Sequence, residues 1–178
     1  MRLFIGINLP KDLKDTLASY TNQFDEGQPV AKDNTHITLV YLGETTETKK
    51  ATIDQALKTL IPTWSPFTVS LSSLKSFKKG TNHIVYVEVI KTDPLDSLYQ
   101  ALHSLMSSLG YSLDSRPYTP HITLARKVKR PPQNVHVNTT FTVSEVTLFL
   151  SHRVAGDLTY TPIETYPLKS AKDTPTKL

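Results

Sequence analysis

Two histidines recur in the same setting along this chain of 178 residues. His36-Ile37-Thr38-Leu39 lies within "THITLVYLG", and His121-Ile122-Thr123-Leu124 lies within "PHITLARKV". From the chain's own residue usage a chance second copy has a probability on the order of one in a few hundred, so the repetition carries information. Each tetrapeptide reads as part of a strand. Successive strand side chains point to opposite faces, so His36 and Thr38 share one face and Ile37 and Leu39 the other, with the second copy divided in the same way. Two such strands, side by side or across a cleft, present two imidazoles and two hydroxyls to one space. Imidazole titrates near neutral pH, so one ring can accept a proton while the other donates one. Threonine hydroxyls hydrogen-bond non-bridging phosphate oxygens without adding charge. The set suits cleavage of a phosphodiester.

Other readings compete with that one. A histidine on the polar face of an amphipathic strand is often only exposed. A duplication that preserved strand patterning alone explains Ile, Thr and Leu, but not His, which has no strand preference. Imidazole is also a zinc ligand. Neither motif, however, has a carboxylate at short spacing, the chain has no cysteine, and His83, His103, His136 and His152 share no pattern with the repeated pair. No metal is expected.

The elements that must hold these residues follow from periodicity. "RLFIGIN" at 2–8 reads as a buried strand, and Pro10 opens a helix carrying Leu13, Leu17, Tyr20 and Phe24. The first motif falls in a strand from Thr35 to Tyr41, stopped by Gly43. Thr45 or Thr46 can cap a second helix built on Ile53, Ala56, Leu57 and Leu60. Residues 67–74 and 83–90 alternate as a hairpin around "KKGTN". Asp93-Pro94 opens a third helix with Leu95, Leu98, Leu102, Leu105 and Leu109, closed by Gly110. The second motif follows, then strands at 141–150 and 158–168 about a Gly156-Asp157 turn. This order argues α+β rather than a doubly wound parallel sheet. One domain over 1–168 is expected, its two halves echoing each other, with a loose tail over 169–178.

The chain is long enough to bury a substantial core without staples. Lacking cysteine, it has no disulfide and no thiolate chemistry, which fits a reducing compartment. No stretch approaches the ~20 apolar residues of a membrane span, so a cytoplasmic protein is expected. A formal charge of +4 permits an anionic partner, and basic residues gather at Lys75, Lys78 and Lys79 and again at Arg126, Lys127, Lys129 and Arg130.

At the paired motifs the sequence resembles the 2H phosphoesterase superfamily, defined by two H-x-[ST]-h motifs, h being hydrophobic. More narrowly it resembles the RNA 2',3'-cyclic phosphodiesterases, also called 2'-5' RNA ligases. "RLFIGINLP", "THITLVYLG", "RPYTPHITLAR" and the closing "YPL" stand in the order this family shows. The resemblance implies a bilobal, pseudo-twofold α+β fold of two mainly antiparallel sheets, helices packed outside a central cleft. It implies metal-independent hydrolysis of an RNA or nucleotide 2',3'-cyclic phosphate to a 2'-phosphomonoester; a monomer with no cofactor and no membrane association is expected. His121 would be the base, His36 the acid, and Thr38 and Thr123 would hold phosphate oxygens. Arg126 matches an arginine of the family five residues after the second histidine. Strict alternation would turn it away from His121, so any role there requires the strand to end or bulge. Tyr41 stands at the equivalent place after the first motif, to flank a base or simply to pack. Lys78 after Phe77, where the family often has proline, and His83, where arginine is common, depart from the pattern. Reverse 2'-5' ligation is the same chemistry run backwards. The rival reading is a non-catalytic RNA-end-binding module using the same basic cleft.

Overall fold

The nearly continuous apolar run after Arg2 makes β1 (Arg2–Asn8) a strand buried on both faces, and buried strands belong in the middle of sheets. In the computed structural model, which describes residues 1–24 and 26–169, β1 lies between two antiparallel neighbours. The remaining elements are α1 (Lys11–Thr21), β2 (Gln28–Pro29), β3 (His36–Glu44), α2 (Glu47–Leu60), β4 (Phe67–Lys79) and β5 (Asn82–Val89). After them come α3 (Asp93–Ser108), β6 (His121–Val128), β7 (His136–Val143), β8 (Glu145–Val154) and β9 (Asp157–Pro167).

Two antiparallel sheets result, one in the order β3-β1-β8-β9 and one in the order β2-β6-β5-β4-β7. The α+β class and the two-sheet architecture are those the sequence led us to expect. Each sheet carries one motif near its margin. β3 is an edge strand, and β6 has only the two-residue β2 outside it. Helices bridge the sheets: α1 follows β1 in the chain but packs against β6, and α3 touches both β3 and β4. Leu17 of α1, Leu57 of α2, and Leu98 and Leu102 of α3 are fully buried in one apolar cluster with Ile5, Ile37, Val87 and Leu124 from both sheets. Among the described residues no helix is long and apolar enough to cross a membrane.

Several boundaries differ from the sequence reading. α1 ends at Thr21, leaving Phe24 outside it. Thr46, not Thr45, caps α2, accepting from the Lys49 N–H at 3.2 Å; Thr45 is buried against the Tyr111 hydroxyl. Gly43 does not stop its strand but passes through it at φ +76°, where a side chain would strain the backbone. The run 141–150 is not one strand. It breaks at Ser144 into β7, which pairs with β4 in the second sheet, and β8, which pairs with β1 in the first. Lys169 N–H donates to the Trp64 carbonyl at 2.7 Å, so the first residue of the expected tail is tied to the fold. The rest of that tail, 170–178, lies outside the described residues.

Candidate active site

β3 pairs with β1 so that Asn8 stands opposite His36 and Gly6 opposite Thr38. β6 pairs with β5 so that Glu88 stands opposite His121 and Tyr86 opposite Thr123. Both motif strands then slip by one residue. On β3 the pairing jumps from Gly6–Thr38 to Ile5–Val40, and on β6 from Tyr86–Thr123 to Val85–Ala125. Leu39 and Leu124 are therefore extra residues, β-bulges at the same place in the two copies. After each bulge the alternation inverts: Val40 and Ala125 are buried, and Tyr41 and Arg126 point outward.

That inversion puts Arg126 on the cleft side of its strand. His36, Thr38, His121, Thr123 and Arg126 together line one cleft of about 890 Å³. The tip of the β8–β9 hairpin closes one side of it with Arg153, Leu158 and Tyr160. Tyr41 shares the inverted phase but is 56% exposed and does not line this cleft. Lys127, directly after Arg126, adopts φ +54°, and the strand ends at Val128.

The two imidazoles are held alike. His36 Nδ1–H donates to the Asn34 carbonyl at 2.7 Å, and His121 Nδ1–H donates to the Thr119 carbonyl at 2.8 Å, in each case two residues upstream. Each bond sets the tautomer and leaves Nε2 as the nitrogen available to the cleft. His36 Nε2 meets the Thr38 hydroxyl at 2.9 Å, which is the strand-face proximity of positions i and i+2 made real.

Their surroundings differ. His36 sits among aromatic rings, with Phe4 at 4.8 Å, Phe149 at 5.7 Å and Tyr160 edge-on at 5.2 Å between centroids. Burial there holds its pKa below the ordinary imidazole value, and the positive charges of His121, Lys14 and Arg126 push the same way against the Asn34 carbonyl. His121 meets one ring, Tyr86, edge-on at 5.5 Å. Gly6 makes room for the backbone between His36 and Thr38: a Cβ on it would stand 2.7 Å from the Ile37 carbonyl oxygen, while the His36 ring, at 3.6 Å, would be in ordinary contact.

Residues 9–155 match the model of the 2'-5' RNA ligase superfamily. The chain belongs to that superfamily. An Escherichia coli K12 protein named RNA 2',3'-cyclic phosphodiesterase is 30% identical over 94% of this chain and 96% of its own length. A Geobacillus stearothermophilus protein of the same name is 28% identical over 96% of this chain, which spans only 58% of that relative. Among solved structures, E. coli LigT complexed with 3'-AMP superposes with a TM-score of 0.85 at 27% identity, covering 95% of this chain and 98% of that one. The fold and the 2H resemblance drawn from the two tetrapeptides stand.

Within this superfamily frame, sequence reasoning missed the residues that hold the site from outside the motifs. Asn34 is the main one. Its carbonyl fixes His36, its Nδ2 donates to the Leu158 carbonyl at 2.8 Å, and its Oδ1 accepts from the Tyr160 N–H at 3.1 Å. It thus latches the β8–β9 hairpin to the first motif. Tyr118, whose hydroxyl donates to the Thr38 carbonyl at 2.9 Å, ties the approach to β6 back to β3. Burial raises the Tyr118 pKa well above the ordinary phenol range, so it remains a donor. An Asn two residues before one histidine was visible in the sequence; its partners more than a hundred positions away were not.

Proposed function

We propose that the chain hydrolyses the 2',3'-cyclic phosphate of an RNA end or nucleotide to a 2'-phosphomonoester. The observation that carries this reading is a single cleft entered by two strands that share the tetrapeptide His-Ile-Thr-Leu, each histidine set in the same tautomer by the carbonyl two residues upstream. His121 Nε2 takes a proton from water as the water oxygen bonds to phosphorus. The P–O3' bond breaks, and His36 Nε2–H protonates the departing O3'. The product carries a 2'-phosphate and a free 3'-hydroxyl, and solvent exchange resets the two rings. Thr38 and Thr123 donate to non-bridging oxygens, and the Arg126 guanidinium stabilises charge gathering on the phosphoryl group.

The donors present suit acid–base work by side chains. Among the described residues no group of three His, Asp or Glu side chains converges on a cation-sized site. We take the reaction to be metal-independent, performed by residues 1–168 as one monomeric unit in the cytoplasm, with 2'-5' ligation as a side activity in which an RNA 5'-hydroxyl replaces water, its oxygen bonding to phosphorus as the P–O3' bond breaks.

A second assignment exchanges the two histidines, and the depressed pKa of His36, which favours a neutral base, speaks for it. An anionic phosphate bound beside His36 opposes that depression and restores an acid. The test is phosphorus NMR of adenosine 2',3'-cyclic phosphate in EDTA with wild type, His36→Ala and His121→Ala. Wild type yields the 2'-phosphate, and each variant loses roughly 10²- to 10⁴-fold. A substrate with sulfur in place of O3' leaves as thiolate without protonation. It rescues His36→Ala under the first assignment and His121→Ala under the second. No turnover of either substrate by wild type would favour the RNA-end-binding module instead.

A further inference from the structure

The cleft does not end at His121. Along the same face of the second sheet lies a smaller groove of about 440 Å³, bounded by His121, Tyr86, Phe77, Tyr118, Glu88 and Lys91. β6, β5 and β4 run side by side there, and pairing sets Thr123 opposite Tyr86 and Tyr86 opposite Lys75. The Tyr86 ring stands 5.5 Å from His121, and the Phe77 ring 5.9 Å from Tyr86. His121, Tyr86 and Phe77 therefore form a row leading out of the site across three strands. Phe77 is 48% exposed although it has no polar atom to favour water.

The charges in the groove are already engaged. Glu88 accepts from Lys75 Nζ at 2.7 Å and from the Ser72 hydroxyl at 2.8 Å, and Lys91 Nζ donates to the Tyr118 carbonyl at 3.3 Å. Aromatic walls, with Glu88 closed in an ion pair and Lys91 held by a backbone carbonyl, fit a flat, neutral ring better than a phosphate. Aromatic side chains on neighbouring strands of an open sheet face are a recurring platform for unstacked RNA bases. Lys78 and Lys79 continue β4 beyond Phe77, where a chain leaving the groove would carry its next phosphate.

We propose that this groove is the subsite for the second nucleobase of an RNA end, stacked on Phe77 and Tyr86 while the terminal cyclic phosphate lies between His36 and His121. The assignment rests on the cyclic phosphodiesterase reading above, and it makes an oligonucleotide end the preferred substrate over a mononucleotide.

The experiment compares kcat/KM for adenosine 2',3'-cyclic phosphate with that for a dinucleotide ending in the same group, using wild type, Phe77→Ala and Phe77→Trp. Wild type is expected to prefer the dinucleotide about tenfold, the order that stacking on one ring supplies. Phe77→Ala removes the preference and leaves the mononucleotide rate unchanged, and Phe77→Trp retains the preference. Equal rates on both substrates in wild type overturn the subsite while leaving the reaction standing. An equal loss on both substrates in Phe77→Ala overturns it as well, by showing a structural role. A wild type inactive on both overturns the reaction itself, and the subsite with it.

Discussion

His36 is a titrating group placed where its charged form is disfavoured, and this has a measurable consequence for stability. Its folded pKa lies below the ordinary value of 6.5. Between the two values the unfolded chain binds more protons than the folded one, so stability rises with pH through that window. The contribution is complete above pH 6.5 and is lost as the pH falls toward the folded value. Urea midpoints from pH 5 to 7.5 should therefore show a slope in wild type that His36→Gln flattens; equal slopes would mean that the imidazole is not desolvated. The same depression shapes turnover. If His36 is the acid, the basic limb of kcat/KM, which reports the free enzyme, lies below pH 6.5. In kcat it moves to higher pH, because bound phosphate offsets the unfavourable charges. A single shared limb in both profiles would contradict the role of acid.

At the scale of elements, the site depends on two strands being irregular in the same way. A regular β6 would turn Arg126 out of the cleft, and the bulge at Leu124 turns it in. The first strand needs one more accommodation, the bare backbone of Gly6 opposite Thr38. Gly6→Ala places a methyl 2.7 Å from the Ile37 carbonyl oxygen, an approach that β3 must relieve by shifting. Because Ile37 lies between His36 and Thr38, we expect this variant to lose at least ~10-fold in kcat while remaining folded, since misplacement of about 1 Å costs that much or more. Activity at the wild-type level with unchanged secondary structure would show that β3 yields without moving the imidazole.

Taken whole, the molecule positions one half of the site on each sheet, and the helices hold the halves in register. α3 is the clearest case: Leu98 and Leu102 are fully buried in the cluster shared by both sheets, and the helix contacts β3 and β4. Leu98→Ala should cost about 2–5 kcal/mol, the range for emptying a buried leucine site. If residues 1–168 form one cooperative unit, thermal unfolding of this variant remains a single transition at lower temperature. Two separated transitions in calorimetry would show instead that the sheets unfold independently.

The pairing of His with Thr on one face of each motif strand was legible in the chain because it is local. Alternation with period two puts His and Thr on one face whatever the strand pairs with, and repetition of the tetrapeptide marked the two strands that matter. The helices were equally legible, since Leu13, Ile53 and Leu98 lie on apolar stripes that any packing must bury. What the chain could not show by itself depends on partners distant in sequence. The bulges at Leu39 and Leu124 exist only against β1 and β5. The break at Ser144 is invisible in a run of strand-forming residues and becomes necessary only when its two sides join different sheets. The latch of Asn34 onto Leu158 and Tyr160 spans more than a hundred residues. Side-chain direction is a property of one strand, whereas register, bulge and enclosure are properties of pairs, and the pairs form only when the chain folds.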